Sequence, residues 1–394
     1  MQEAHRYCKP PISTDGTVLL VGAAFPPSTG GSVTVMKELL QHFDPHSYNV
    51  VTLRHLKDSG DKEFEQRTMR LGLRRFRPYN LALWIRFLQT PFIVRAACSY
   101  ARRVGARKII CIFPTIDFLF LGYLMAKKTG LPLILYLHDT ISEALSKSTF
   151  AIPSKWIQRL AFKRAASIMV ISDGMRDFYK MRYKLDTVSV PHTYQEKIPA
   201  LNELLPIDTN RLFWGGAVYG INEIALRRVV ATAKILNMTF RFTTRARDAL
   251  LRNLSEPSDS KTIETVYYDA REEYLAALPL NGIMVLALNY PEEAGFGADE
   301  VATIFPTKTP EYLAAGTLII VHCPEDYFLA RFFKEHSCGL VISDRDPTIM
   351  AGKIKALMGN LDSVNQMRGN ALKAAHRFLP HRICDIFSRA VTNA

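Results

Sequence analysis

Short apolar runs alternate along the chain with stretches whose apolar positions recur every three or four residues, the pattern of parallel strands joined by amphipathic helices. The first repeat of this pattern is a strand over Thr17–Gly22, a loop from Ala23 to Ser32 and a helix over Val33–Phe43. Further strands are expected at Tyr48–Leu53, Lys108–Phe113, Pro132–Leu137, Ser167–Ile171 and Thr187–Val190, with a basic helical region at Tyr79–Val104. A polar, proline-bearing stretch from Gln195 to Asn210 interrupts the series, which then resumes with the strand Arg211–Gly215 and the helix Asn222–Leu236. Strands follow at Thr239–Thr243, Thr262–Tyr267, Gly282–Ala287, Thr317–Val321 and Leu340–Ile342, with a helix at Pro310–Ala315. Two such series joined by a linker predict an α/β protein of two Rossmann-like halves with a cleft between them.

Composition narrows the class. Of 394 residues, 48% are hydrophobic and 22% charged, which excludes collagen-like, disordered and low-complexity chains. The six cysteines are spread with no close pair, so neither a zinc site nor a disulfide framework is expected, and a reducing cytoplasmic setting fits. The opening residues carry Glu3 and no apolar run, unlike a secretory signal. Ile109–Ala126 is apolar and nearly long enough to span a bilayer, but it holds Pro114, Asp117 and Gly122; a buried strand, a turn and a core helix explain it more economically.

Charge is distributed unevenly. Residues 1–200 hold 29 Lys and Arg against 15 Asp and Glu, whereas the remainder holds 21 against 22. From Arg67 to Lys108 no acidic residue interrupts eleven basic ones, among them Arg74, Arg75, Arg77, Arg86, Arg95 and Arg103. An excess confined to one half points to an anionic partner for that half. Within it, Tyr79–Leu88 mixes aromatic and aliphatic residues with arginines, as a helix lying in a headgroup interface does; a solvated face on an ordinary helix fits the same pattern. Nucleic acid is the weaker expectation, since no recognised binding module accompanies the charge.

Three places can carry chemistry. Phe25–Ser32 follows the first strand and opens the first helix, and Gly30 and Gly31 let the backbone approach a negative ligand closely; a tight strand-to-helix turn is the plainer alternative. In Phe305–Gly316, Thr309 is placed to cap a helix and Pro310 to open it, which sets Lys308 and the helix's positive end beside Glu311. A nucleoside diphosphate needs that pairing, cations for phosphate and a carboxylate for the ribose hydroxyls, although a well-capped helix needs it too. His138 and Asp139 follow the strand ending at Leu137, at the carboxyl edge of the sheet, where they act on a ligand or serve as a packed ring and the cap of a helix over Thr140–Leu145.

These residues resemble the GT-B fold glycosyltransferases, close to glycosyltransferase family 4. Val18–Pro27 with Gly30 and Gly31 is similar to the family's opening strand and glycine loop. Ala165–Ser172, Val190–His192 and Leu212–Gly216 resemble later landmarks, and Phe305–Gly316 resembles the donor-site segment most specifically. The resemblance implies transfer of a sugar from a nucleotide-diphosphate sugar to an acceptor hydroxyl, in surface polysaccharide or glycolipid assembly. No cofactor is implied and no metal at the reacting centre. The protein would be cytoplasmic, peripheral at the inner membrane face through the Arg67–Lys108 region, with a carbohydrate or lipid-linked acceptor. Residues 1–200 would hold the acceptor and 201–370 the donor, with 371–394 as a helix crossing back to the first domain.

By the same resemblance Glu311 holds the ribose, Lys308 faces the diphosphate with Thr307 and Gly216 nearby, and Gly30 and Gly31 line the phosphate side. His138 contacts the transferred sugar and Asp139 takes the acceptor proton. Two departures stand out. Ala217–Asn222 lacks the Arg and Lys that usually clasp the phosphates, leaving Arg245 or Arg247 to substitute, and Thr303 stands where a second glutamate is usual, with Glu300 three residues earlier. Two other functions fit the scaffold: a nucleotide-sugar epimerase, and a non-catalytic protein that binds nucleotide sugars.

Overall fold

The computed structural model describes residues 9–54, 59–72, 79–244, 254 and 262–394. The chain divides into two compact units: one runs to Thr193 and adds Pro380–Ala394, and the other is Tyr194–Leu379. These divisions fall at 193/194 and 379/380, against the expected 200/201 and 370/371.

Unit 1 is a parallel sheet in the order β3-β2-β1-β4-β5-β6-β7 among the described residues. Its strands are β1 (Val18–Gly22), β2 (Tyr48–Leu53), β3 (Thr68–Leu71), β4 (Lys108–Phe113), β5 (Leu133–Leu137), β6 (Ala165–Val170) and β7 (Val188–Ser189). Its helices are α1 (Gly31–Leu40), α2 (Lys62–Gln66), α3 (Tyr79–Arg103), α4 (Ile116–Thr129), α5 (Ala151–Arg164) and α6 (Asp173–Tyr183), and α14 (Pro380–Thr392) joins them. β1, β4 and β5 are buried along their whole length, which is why they read as unbroken apolar runs rather than alternating ones.

The run Ile109–Ala126 resolves as β4, a turn and α4, with Asp117 buried. Its partner is Arg86 of α3, equally buried, at 2.9 Å. Leu81–Arg103 of α3 is long and apolar enough to cross a membrane, with mean hydropathy 1.2, but that internal ion pair ties it to α4 as part of the helical layer. At the other end of the chain, Lys108 donates to the carbonyls of Val391 and Thr392, both at 2.8 Å, where the dipole of α14 favours a cation. Phe387 packs on Phe43, so α14 completes the core of unit 1.

Unit 2 repeats the plan with the order β10-β9-β8-β11-β12-β13. Its strands are β8 (Arg211–Trp214), β9 (Thr239–Thr243), β10 (Ile263–Val266), β11 (Ile283–Ala287), β12 (Ile319–His322) and β13 (Leu340–Ile342). The helices are α7 (Glu223–Ile235), α8 (Arg271–Ala277), α9 (Ala298–Thr303), α10 (Thr309–Ala314), α11 (Phe328–Glu335), α12 (Pro347–Met358) and α13 (Leu361–Ala375). Both strand orders reverse direction once, between β1 and β4 and between β8 and β11, and ligands of open α/β sheets bind beyond the carboxyl ends of strands at such reversals. The chemistry-bearing residues of each unit lie at those ends. One local expectation fails: Thr140–Leu145 forms turns rather than a helix, so Asp139 has no helix there to cap.

Candidate functional site

In unit 2 the residues picked from sequence converge. β8 ends on Trp214, and its indole NH donates to the carbonyl of Gly216 at 2.9 Å, folding the chain back over the strand end. Lys308 lays its ammonium 3.2 Å from the centre of that indole, a cation–π contact. A Cβ at Gly216 would stand 2.7 Å from the Lys308 nitrogen, so a side chain there would displace the lysine. Burial pushes the Lys308 amine down to about 7, against the opposing pull of Glu311.

Glu311, buried in α10, receives a hydrogen bond from Arg271 at 2.8 Å, and the hydroxyl of Tyr274 also bonds to it. Tyr312 accepts a hydrogen bond from the backbone NH of Gly215 at 2.7 Å, which pins α10 to the end of β8. Helix α10 starts at Thr309, with Lys308 at the capping position and no side-chain cap bond, so the expected Thr309 cap is replaced. The cause is register: the helix begins one residue early, which makes Pro310 its second residue and buries the Thr309 hydroxyl with no hydrogen-bond partner among the described residues. Thr307 lies half-buried just ahead of the lysine.

The two departures from the family pattern resolve differently. Thr303 and Glu300 are both buried in α9, where the Thr303 hydroxyl donates to the Glu300 carbonyl at 2.9 Å. Arg245 and Arg247 lie outside the described residues. Among the described residues the cation hydrogen-bonded to Glu311 is Arg271, which sequence reading missed. A usable signal existed, since Arg271 opens α8 just after β10 and so stands at the carboxyl end of a strand, the same placement that singled out His138.

In unit 1, His138 follows β5 and is buried, its ring edge-on to Tyr136 at 4.4 Å between centroids. Neither ring nitrogen meets a hydrogen-bond partner among the described residues. Desolvation, reinforced by nearby His192, pushes its pKa down to about 3, so the imidazole is neutral at ordinary pH. His192 is itself paired with Glu38 of α1 at 2.8 Å, and both are buried. Asp139 is half-buried, and desolvation pushes its carboxyl up to about 6. Gly30 precedes α1 at φ 129°, a conformation side chains rarely adopt, and no atom lies within 4 Å of where its Cβ would be. Gly31 is the first residue of that helix.

The basic stretch is partly turned inward. Arg67 donates to the carbonyl of Pro45 and stacks on Tyr48, and Arg70 is tied to Glu65 and to the carbonyl of Pro26. Arg86 and Lys108 are buried in the pairings described above. Arg95, Arg102, Arg103 and Arg107 remain exposed, while Arg74, Arg75 and Arg77 lie outside the described residues.

Comparison with solved structures places this architecture. The chain is similar to a sucrose-phosphate synthase from Thermosynechococcus elongatus with TM-score 0.67 and 15% identity, over 94% of this chain and 96% of that one. It is similar to HepE of Anabaena in complex with UDP-glucose at TM-score 0.65 and 12% identity, over 95% and 99% of the two chains. A MurG from Acinetobacter baumannii matches at TM-score 0.56 and 12% identity, over 95% and 99%. No curated protein matches the chain by sequence. Two Rossmann-like units with these likenesses define a GT-B fold. Residues 29–192, most of unit 1, match the family model described as Glycosyltransferase Family 4.

Proposed function

We propose that the protein transfers a sugar from a nucleotide-diphosphate sugar to an acceptor hydroxyl, in the cytoplasm, in surface polysaccharide or glycolipid assembly. The observation that carries this reading is the corner of unit 2 in which buried Glu311, Lys308 on the Trp214 ring and side-chain-free Gly216 meet. Glu311 accepts from the two ribose hydroxyls. Lys308 and Arg271 face the diphosphate, and no metal need stand at the reacting centre for these cations to act. In the reaction the bond from the sugar's anomeric carbon to the diphosphate oxygen breaks and its electron pair leaves on the diphosphate. The acceptor oxygen forms the new bond and gives up its proton to Asp139, whose raised pKa suits a general base. Cations fixed where negative charge grows on the leaving group lower the barrier more than they stabilise bound donor. Buried, neutral His138 offers a free nitrogen to a hydroxyl of the sugar. A carbohydrate or a lipid-linked sugar is the acceptor.

The test is calorimetric titration with UDP, GDP and ADP, followed by incubation with the sugar donors of whichever base binds. Glu311→Ala should weaken binding of that nucleotide by about 100-fold, the loss of two hydrogen bonds to a charged group, while the melting profile keeps its shape. Equal affinity in the variant would place the donor elsewhere. Transfer or slow hydrolysis supports the transferase; an isomerised sugar released without acceptor, or binding without turnover, overturns it in favour of the epimerase or the binding protein.

A further inference from the structure

Helices α3, α4 and α5 of unit 1 present a surface whose composition matches neither a buried face nor an ordinary solvated one. Leu88 and Phe92 of α3 are 63% and 82% exposed, and Ile152 and Trp156 of α5 are 83% and 53% exposed. On α3 these residues belong to one stripe, Leu81, Ile85, Leu88 and Phe92, which continues into exposed Arg95. On α5 the stripe is Ile152, Trp156, Arg159 and Lys163, so both helices run from apolar to basic along one side.

Aromatic contacts tie the three helices together beside these stripes. Phe120 of α4 stands 5.0 Å from Phe87 and 6.0 Å from Trp156, ring centre to ring centre, and bridges α3 to α5. Phe150, which leads into α5, stacks on Trp84 at 4.2 Å, and the Trp84 NH donates to Thr149 at 3.0 Å. Several exposed apolar side chains this large on neighbouring helices mark an interaction surface.

The charge on the same helices selects the partner. α3, α4 and α5 together carry ten Lys and Arg and one carboxylate, Asp117, which is buried against Arg86. The described faces of these helices therefore show cations and no anion. A second copy of the same face would oppose like charge to like, which disfavours self-association. An anionic bilayer reverses that sign, and its headgroup layer accepts Phe, Trp and Leu side chains beneath a fringe of cations. We infer that this three-helix face docks on an anionic lipid surface, with Phe92, Trp156, Leu88 and Ile152 entering the interface and Arg95, Lys155, Arg159 and Lys163 meeting the headgroups. The inference concerns unit 1 alone and stands whether or not the donor corner of unit 2 binds nucleotide.

The experiment mixes the full chain with vesicles of phosphatidylcholine, with or without 30% phosphatidylglycerol, and follows sedimentation together with quenching of tryptophan fluorescence by brominated lipid. Binding to the anionic vesicles, weakened by salt and accompanied by quenching, is expected; so is little binding to phosphatidylcholine alone. Phe92→Glu with Trp156→Glu should lower the partition coefficient by about 100-fold, whereas Leu361→Glu, at an apolar residue of unit 2 that is 69% exposed, should leave it unchanged. Circular dichroism melts confirm that each variant is folded. Four results overturn the inference: no association with anionic vesicles, equal loss in Leu361→Glu, a dimer by light scattering that the Phe92 and Trp156 substitutions break, or saturable binding of a DNA duplex that displaces the vesicles.

Discussion

The Lys308–Glu311 corner of unit 2 and the strand end of unit 1 at His138 occupy equivalent places, each beyond the carboxyl edge of a parallel sheet, yet they treat their polar groups in opposite ways. Around Glu311 the polarity is already spent internally: Arg271 and Tyr274 hold the carboxylate, the Trp214 ring faces the lysine, and the Gly215 NH is engaged by Tyr312. Around His138 it is unspent: among the described residues its two buried ring nitrogens meet no hydrogen-bond partner. A buried polar group left without a partner costs roughly 1–3 kcal/mol, so the second arrangement is a standing cost that a bound hydroxyl would repay. Under the proposed function the first is a preorganised grip, in which a ligand would exchange partners rather than supply missing ones.

The sharpest way to break this contrast is at Lys308. If the lysine is the grip's cation, Lys308→Met should reduce affinity for the nucleotide sugar by about 100-fold, the value of a charge-assisted bond to phosphate. Its pKa of about 7 adds a pH signature. The charged form is the one that binds, so affinity should fall by up to tenfold per pH unit as pH rises above about 7, and Lys308→Met should flatten that slope. A nucleotide sugar is the proper ligand here, since its diphosphate does not itself titrate near neutrality. Titrations at pH 6, 7.5 and 9 decide the matter; a wild-type curve with no slope would detach the lysine from the phosphates.

A smaller effect is expected at Arg271. The guanidinium is partly exposed, its side chain at 34%, so solvent screens its pairing with Glu311. Arg271→Gln should therefore leave the fold intact and weaken nucleoside diphosphate binding about tenfold, with less loss for the bare nucleoside. An equal loss for both would mean that Arg271 acts by holding Glu311 in place rather than by meeting phosphate. No loss for either would show that the grip does not depend on it.

The sequence made the strand series, the two-unit plan and the Lys308–Glu311 corner legible because fully buried parallel strands are written as apolar runs and the corner as a dense local motif, Phe305–Gly316. It was silent where proximity comes from distant segments. Arg271 lies 40 positions from Glu311, and nothing in its own neighbourhood announces that partner. The charge run misled for a related reason: a linear tally counts Arg86 and Lys108 as surface cations, whereas the fold buries one against Asp117 and spends the other on the end of α14. Likewise the apolar stripe of α3 was visible as composition, but the Phe87–Phe120–Trp156 bridge beside it exists only once three helices pack. Thr68–Leu71 is too short and too polar to stand out as a strand; its neighbour β2 supplies the pairing that makes it one.

The smallest predicted effect tests the unspent side of the contrast through stability rather than binding. A His whose pKa is lowered to about 3 in the folded protein stays neutral there, while the unfolded chain protonates it below its ordinary 6.5. The unfolded state then binds the extra proton, so stability is lost as pH falls from about 6.5 towards 3, at up to about 1.4 kcal/mol per pH unit. Asp139 acts with the opposite sign between about 6 and its ordinary value, because its raised pKa lets the native state take up a proton first. His138→Gln removes the first slope and leaves the second. The difference between the variant's and the wild type's melting temperatures should therefore widen in the variant's favour on acidification from pH 6.5 to 5, while at pH 8 it stays constant. Parallel curves across that range would mean that His138 already has a partner or reaches water, and the contrast between a filled corner and an unfilled one would lose its unit 1 half.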